Sequence, residues 1–213
     1  MTDLFGDPAL LIHRVLLQVP ALLIAVTVHE LAHALVADQL GDPTARRLGR
    51  LTLNPLPHID PMGAICLVLA GFGWAKPVPV DARNFKHPVR DMLWVAVAGP
   101  IANFVAAFGA LVIYLWLRPT GAVPGPILIA LSAVFALNLA LGIFNLIPIP
   151  PLDGGHFLPY FLPRAAAGLL QGLERYGMLI LLALVFTGAT GRIVRPVSEW
   201  VAHLMIAFAR LIV

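Results

Sequence analysis

With 213 residues, 60% of them hydrophobic and 12% charged, the chain is too apolar for a soluble globular domain and long enough for several membrane spans. A mean hydropathy of +0.89 agrees, and a net charge of +3 with a pI near 9.5 does not mark a nucleic-acid binder, because Lys and Arg stand at the ends of apolar segments. The single cysteine, Cys66, excludes an internal disulfide and a multi-thiolate metal site, so metal ligands must come from His, Asp or Glu.

The first residues carry Asp3 and Asp7 where a signal peptide would have a basic region, so no cleavable leader is expected. From about Ala9 to Leu40 an apolar segment exceeds the roughly 20 residues that a perpendicular membrane helix needs. Pro20 predicts a kink or a short leading helix, Arg14 is expected to snorkel to the interface, and Gly41-Asp42-Pro43 ends the helix. Within this run, His29 and His33 lie four residues apart on one helical face, where two imidazoles can grip one metal ion. Glu30 points elsewhere on the helix but can lie beside the ion and take a proton from water there. The bland alternative for H-E-x-x-H is a chance match on a solvated face. Membrane context favours the metal, because an unpaired ionisable group in an apolar helix is costly.

Gly49 to Asp60 mixes β-formers with Asn54, Pro55 and Pro57 and reads as short extended pieces and turns at the membrane surface. Met62 to Phe72 is about half a span, which reads as a re-entrant or half-membrane segment. Trp74 to Asp81, WAKPVPVD, reads as an edge strand whose free backbone groups an unwound substrate can pair with. Asp91 to Leu117 is a full span, in which Gly99-Pro100 permits close packing and Asn103 wants a partner, either a neighbouring helix or the candidate site. After a turn at Arg118 to Gly125, the span Pro126 to Leu146 runs into a second dense cluster, Asn145 to Gly155. Arg164 to Arg175 reads as an interfacial helix, Tyr176 to Phe186 as a short apolar piece, and Ile193 to Val213 as a spanning or surface helix on which His203 is interfacial.

Arg46, Arg47, Arg50, Lys76, Arg83, Lys86 and Arg90 all fall between the first helix and the Asp91 span, which predicts that this side is cytoplasmic. The two polar clusters then meet at similar depth. Asp153 is the natural third ligand, since a carboxylate opposite two imidazoles offsets the dication's charge and leaves a position for water. Pro148, Pro150 and Pro151 break the helix and Gly154-Gly155 permits a sharp turn that aims Asp153 inward. The competing reading of Asp153 is a helix-terminal turn at the water boundary.

HELAH at 29–33 together with NLIPIPPLDGG at 145–155 resembles the site-2 protease family of intramembrane zinc metalloproteases. GRLTLNPLPHIDPMG at 49–63, GWAKPVPVDARN at 73–84 and AGPIAN at 98–103 resemble its compact bacterial members, so the likeness covers most of residues 20–160. It implies one zinc ion per chain held by His29, His33 and Asp153, Glu30 as base and acid, and Asn145 holding substrate or stabilising the oxyanion, for which an amide donor is apt. It also implies a transmembrane substrate that unwinds at a site reached by water from the cytoplasm. No stretch suggests an inserted PDZ or CBS domain.

The expectation is therefore an all-α polytopic membrane protein, a bundle of about 5–6 transmembrane helices with a short re-entrant, β-like segment. It forms a single domain, 1–213, with a catalytic core at about 20–160 and C-terminal helices at 164–213, in the cytoplasmic membrane. It acts as a zinc-dependent endopeptidase on membrane protein substrates. The rival expectation is a metal-binding membrane protein without hydrolytic activity, a cation transporter or an inactive scaffold, for which polar groups should line both membrane halves. His58 and His156 are expected to border the site without ligating, since a fourth protein ligand would close it to water. Asp60 reads as a turn residue and Cys66 as core.

Overall fold

A computed structural model describes the backbone of residues 8–70 and 73–213 and the side chains of 18–67, 73–163 and 165–213. The readings of Asp3, Asp7 and the Arg14 side chain, and the end of the half-span at Phe72, lie outside the described residues. Among the described residues eight α-helices follow in chain order: α1 Pro8–Gln39, α2 Thr44–Arg47, α3 Pro61–Ala70, α4 Pro88–Leu117, α5 Gly125–Asn145, α6 Leu158–Phe161, α7 Ala167–Phe186 and α8 Ala189–Ala209. No sheet forms among the described residues, and the chain is a multi-pass, all-α membrane protein.

Four of these helices are long and apolar enough to cross a membrane, at Gln18–Gln39, Pro88–Thr120, Gly125–Asn145 and Ala167–Phe186, against the five to six expected. The difference has two sources. At ten residues α3 is about 15 Å long, half of a bilayer core. Arg192, Arg195 and Glu199 leave α8 too polar to count, and it instead lays Val194, Val201, Ala202 and Met205 against Ala107 of α4 and Leu139 and Ile143 of α5. The separate pieces read at Arg164–Arg175 and Tyr176–Phe186 are corrected to one helix from Ala167, since Glu174 and Arg175 fall within it without ending it.

Pro20 lies inside α1, and the helix continues through it. Beyond Gln39 the chain turns at Gly41, whose φ of +110° favours glycine, while Asp42 N–H donates to Ala37 O at 2.9 Å. Ala21, Ala25, Ala34 and Ala37 are buried along α1, and small side chains there let α4 and α5 pack closely on it. Where β-like structure was expected, one antiparallel bridge joins Ile59 to Ala75, with Lys76 N–H donating to His58 O at 2.9 Å.

Candidate metal centre

Helical spacing puts His29 and His33 on the same face of α1, and α4 runs antiparallel against that face. His29 Nδ1 pairs with Asn103 Oδ1 at 2.6 Å and His33 Nδ1 with Val95 O at 2.7 Å. A carbonyl oxygen only accepts, so His33 Nδ1 must donate, leaving Nε2 to face inward with its lone pair when the ring is neutral. Between those two anchors lies Gly99. A Cβ there would sit 2.4 Å from His33 Nε2 and 2.6 Å from His29 Cε1, so only glycine lets the α4 backbone lie against both rings.

The third group arrives from the far end of the chain. After α5 the backbone passes through Pro148, Pro150 and Pro151 into a 3₁₀ turn, Asp153–Phe157, that begins with the candidate carboxylate. Gly154 and Gly155 both lie within that turn, as expected, without a positive φ, and close packing is what calls for glycine there. A Cβ on Gly154 would lie 2.4 Å from Ile147 O, and the loop folds back tightly enough to bring Asp153 over α1.

His29 Nε2 lies 3.0 Å from His33 Nε2 and 3.1 Å from Asp153 Oδ2, while His33 Nε2 lies 3.4 Å from Asp153 Oδ1. Three ligand atoms at tetrahedral positions on zinc, with bonds of roughly 2.0–2.1 Å, would be about 3.3 Å apart. Asp153 Oδ2 is buried without a hydrogen-bond partner. With both Nδ1 atoms committed outward, two imidazole lone pairs and a carboxylate converge on one point, an arrangement of acceptors that a cation satisfies. The donor set therefore fits zinc.

Beside it, Glu30 is 8% exposed, and its Oε2 accepts the Val78 N–H at 2.8 Å. Three donors of the segment read as a free edge are committed, Lys76 N–H to His58, Val78 N–H to Glu30 and Asp81 N–H to Asp42, and Pro77 and Pro79 have none. Arg50, also buried, donates from Nη2 to Lys76 O at 2.5 Å and adds a positive field near Glu30.

The sequence profile of peptidase family M50 matches residues 122–188. YwhC of Bacillus subtilis, a protein named as a zinc metalloprotease, is 40% identical over 171 residues, which cover 78% of this chain and 78% of YwhC. The chain belongs to peptidase family M50, the site-2 proteases. Rip2 of Mycolicibacterium smegmatis, also named as a zinc metalloprotease, is 31% identical over 80% of this chain and 66% of its own length. A zinc metalloprotease of Methanocaldococcus jannaschii is 28% identical over 67% of this chain and 33% of its own length. No solved structure matches the chain. Family membership supports the first of the two readings: this site-2 protease is a zinc-dependent membrane peptidase.

Other polar residues fall into place around that centre. Asn145 ends α5 and turns its amide to Leu141 O at 3.1 Å, so the structure does not bring it into the ligand cluster. His58 is fully buried with Nε2 against Thr52 O at 3.1 Å, His156 is exposed, and neither joins the three convergent groups. Asp60 caps α3 through the Met62 and Gly63 N–H groups at 2.8 and 3.0 Å. His203 bonds Glu199 O on the exposed side of α8. Cys66 is half-buried on α3.

Sequence reasoning missed the Val95 carbonyl and Asn138. The first has no sequence signature. Asn138 did have one, an amide in the middle of an apolar span, where polar groups are rare.

Proposed function

We propose that His29, His33 and Asp153 hold one zinc ion and that this protease cleaves membrane-spanning proteins at a site open to the cytoplasm. The observation that carries the reading is the convergence of the three candidate ligand atoms within 4.8 Å, contributed by α1 and a loop more than a hundred residues later. Bound there, zinc would bring the pKa of a water to about 7 and polarise the scissile carbonyl.

Glu30 serves as the base. It sits next to His29 in a pocket largely closed to solvent, takes the proton from the attacking water and delivers it to the leaving amine. The Val78 N–H holds one of its carboxylate oxygens, which limits the rotamers open to the other. Asn145 lies at the end of α5, eight residues before Asp153. Rotation of its amide away from Leu141 O would supply a donor to substrate or to the oxyanion. Six Lys and Arg residues between α1 and α4, with Arg90 in the first turn of α4, against Arg118 alone in the following turn, support placing the α1–α4 connection in the cytoplasm and the chain in the inner membrane.

The test pairs metal analysis with cleavage of a reconstituted transmembrane substrate. Glu30→Gln is expected to keep zinc and to lose about 10²–10⁴-fold in kcat. His33→Ala is expected to lose both metal and activity. Full activity in Glu30→Gln would overturn the mechanism, and full zinc occupancy in His33→Ala would overturn the ligand set.

A further inference from the structure

Behind His29 runs a buried chain of amides. Asn103 Oδ1 lies 2.6 Å from His29 Nδ1, and Asn103 Nδ2 donates to Ala25 O and to Asn138 Oδ1, both at 2.9 Å. Asn138 Nδ2 in turn donates to Val134 O at 2.8 Å. Both amides are 0% exposed, so these bonds are shielded from bulk water. Each link fixes the next. Val134 O can only accept, so Asn138 must present its NH₂ there and its oxygen to Asn103. Asn103 then faces two acceptors with its two N–H bonds and is left with only its oxygen for the imidazole. His29 Nδ1 is thereby compelled to donate, and Nε2 carries the lone pair.

Resting on the reading that His29 binds zinc, we propose that Asn103 is a positioning residue that locks His29 in the metal-binding tautomer and ring orientation, and that Asn138 sets the direction of the Asn103 amide. A neutral imidazole free of this bond divides its population between two tautomers and rotates about its side-chain bonds. With Asn103 in place, the ring is already oriented before metal arrives. Groups that hold the outer nitrogen of a metal-binding histidine contribute about 10–100-fold in metal affinity. The span α5 thus reaches the centre through side chains that touch neither metal nor substrate, and three helices are joined to one ring.

The experiment uses the full chain in detergent micelles. Zn2+ affinity is measured by competition with a chromophoric chelator, and His29 Nδ1–H is observed by NMR with ¹⁵N-labelled histidine. Asn103→Leu, close in volume but without an acceptor, is expected to weaken zinc binding about 10–100-fold. Asn103→Asp, which keeps an acceptor for His29 Nδ1 but loses the two donated bonds, and Asn138→Leu, which leaves Asn103 in place, are each expected to lose less than Asn103→Leu. Unchanged affinity in Asn103→Leu would overturn the proposal. So would a loss in Asn103→Asp as large as that in Asn103→Leu, since keeping an acceptor for His29 Nδ1 would then make no difference. If Asn103→Leu does not fold, absence of the His29 Nδ1–H signal in the zinc-loaded parent overturns it. Parent-like affinity in His29→Ala would instead overturn the ligand assignment itself, a distinct result.

Discussion

One methyl group at position 99 is enough to test how tightly the centre is assembled. Its carbon would fall 2.4 Å from His33 Nε2, closer than nonbonded carbons approach, so Gly99→Ala must either rotate an imidazole or part α4 from α1. Overpacking of this kind costs roughly 1–3 kcal/mol in a well-packed interior. We expect Gly99→Ala to remain helical by circular dichroism while zinc affinity and cleavage both fall at least about tenfold, since rings turned by a few tenths of an ångström no longer share one focus. Much of the centre is legible at this scale in the sequence. His29, Glu30 and His33 announce themselves because ionisable groups are costly in an apolar helix, and Asp153 because prolines and glycines isolate it. Gly99 reads only as a packing residue, since nothing in its neighbours says that imidazoles will lie against it.

Between elements, the joint from α1 to the extended segment depends on Asp42, which is fully buried. Its carboxylate accepts from Thr44 N–H at 3.1 Å, Thr44 Oγ1 at 2.5 Å, Asp81 N–H at 2.7 Å and Asn84 Nδ2 at 2.7 Å. Burial pushes the carboxyl up, but the four bonds outweigh it and hold the group below the usual carboxylate range. A depressed folded pKa contributes stability that is complete above the unfolded value of about 3.9 and is lost as pH falls through the lower folded value. Asp42→Ala is therefore expected to lower stability by about 2–3 kcal/mol at neutral pH. The gap from the parent, followed by thermal unfolding in micelles, should narrow below about pH 4. The element boundaries show where sequence patterns mislead. Glu174-Arg175 looks like a membrane boundary, yet α7 passes through it because a helix interior tolerates charges that face outward. Conversely, the alternation in WAKPVPVD does suggest an edge, but three of its donors are claimed by His58, Glu30 and Asp42, groups distant in sequence that no local pattern reveals.

For the whole molecule, orientation is the property with the simplest test. The lone Cys66 can be replaced by serine, after which single cysteines report their side of the membrane. With the α1–α4 connection in the cytoplasm, Thr120→Cys is expected to react with a membrane-impermeant maleimide in intact cells, and Leu48→Cys only after permeabilisation. The opposite pattern would invert the topology. The order of the candidate ligands along the chain carries a consequence for biosynthesis. At roughly 5–20 residues per second, a ribosome needs about 6–24 s to travel from codon 33 to codon 153. During that interval the nascent protein offers only a pair of histidines, and α4 and α5 must both be inserted before the carboxylate reaches them. With these three residues as the ligands, firm capture of zinc would wait until translation has passed α5.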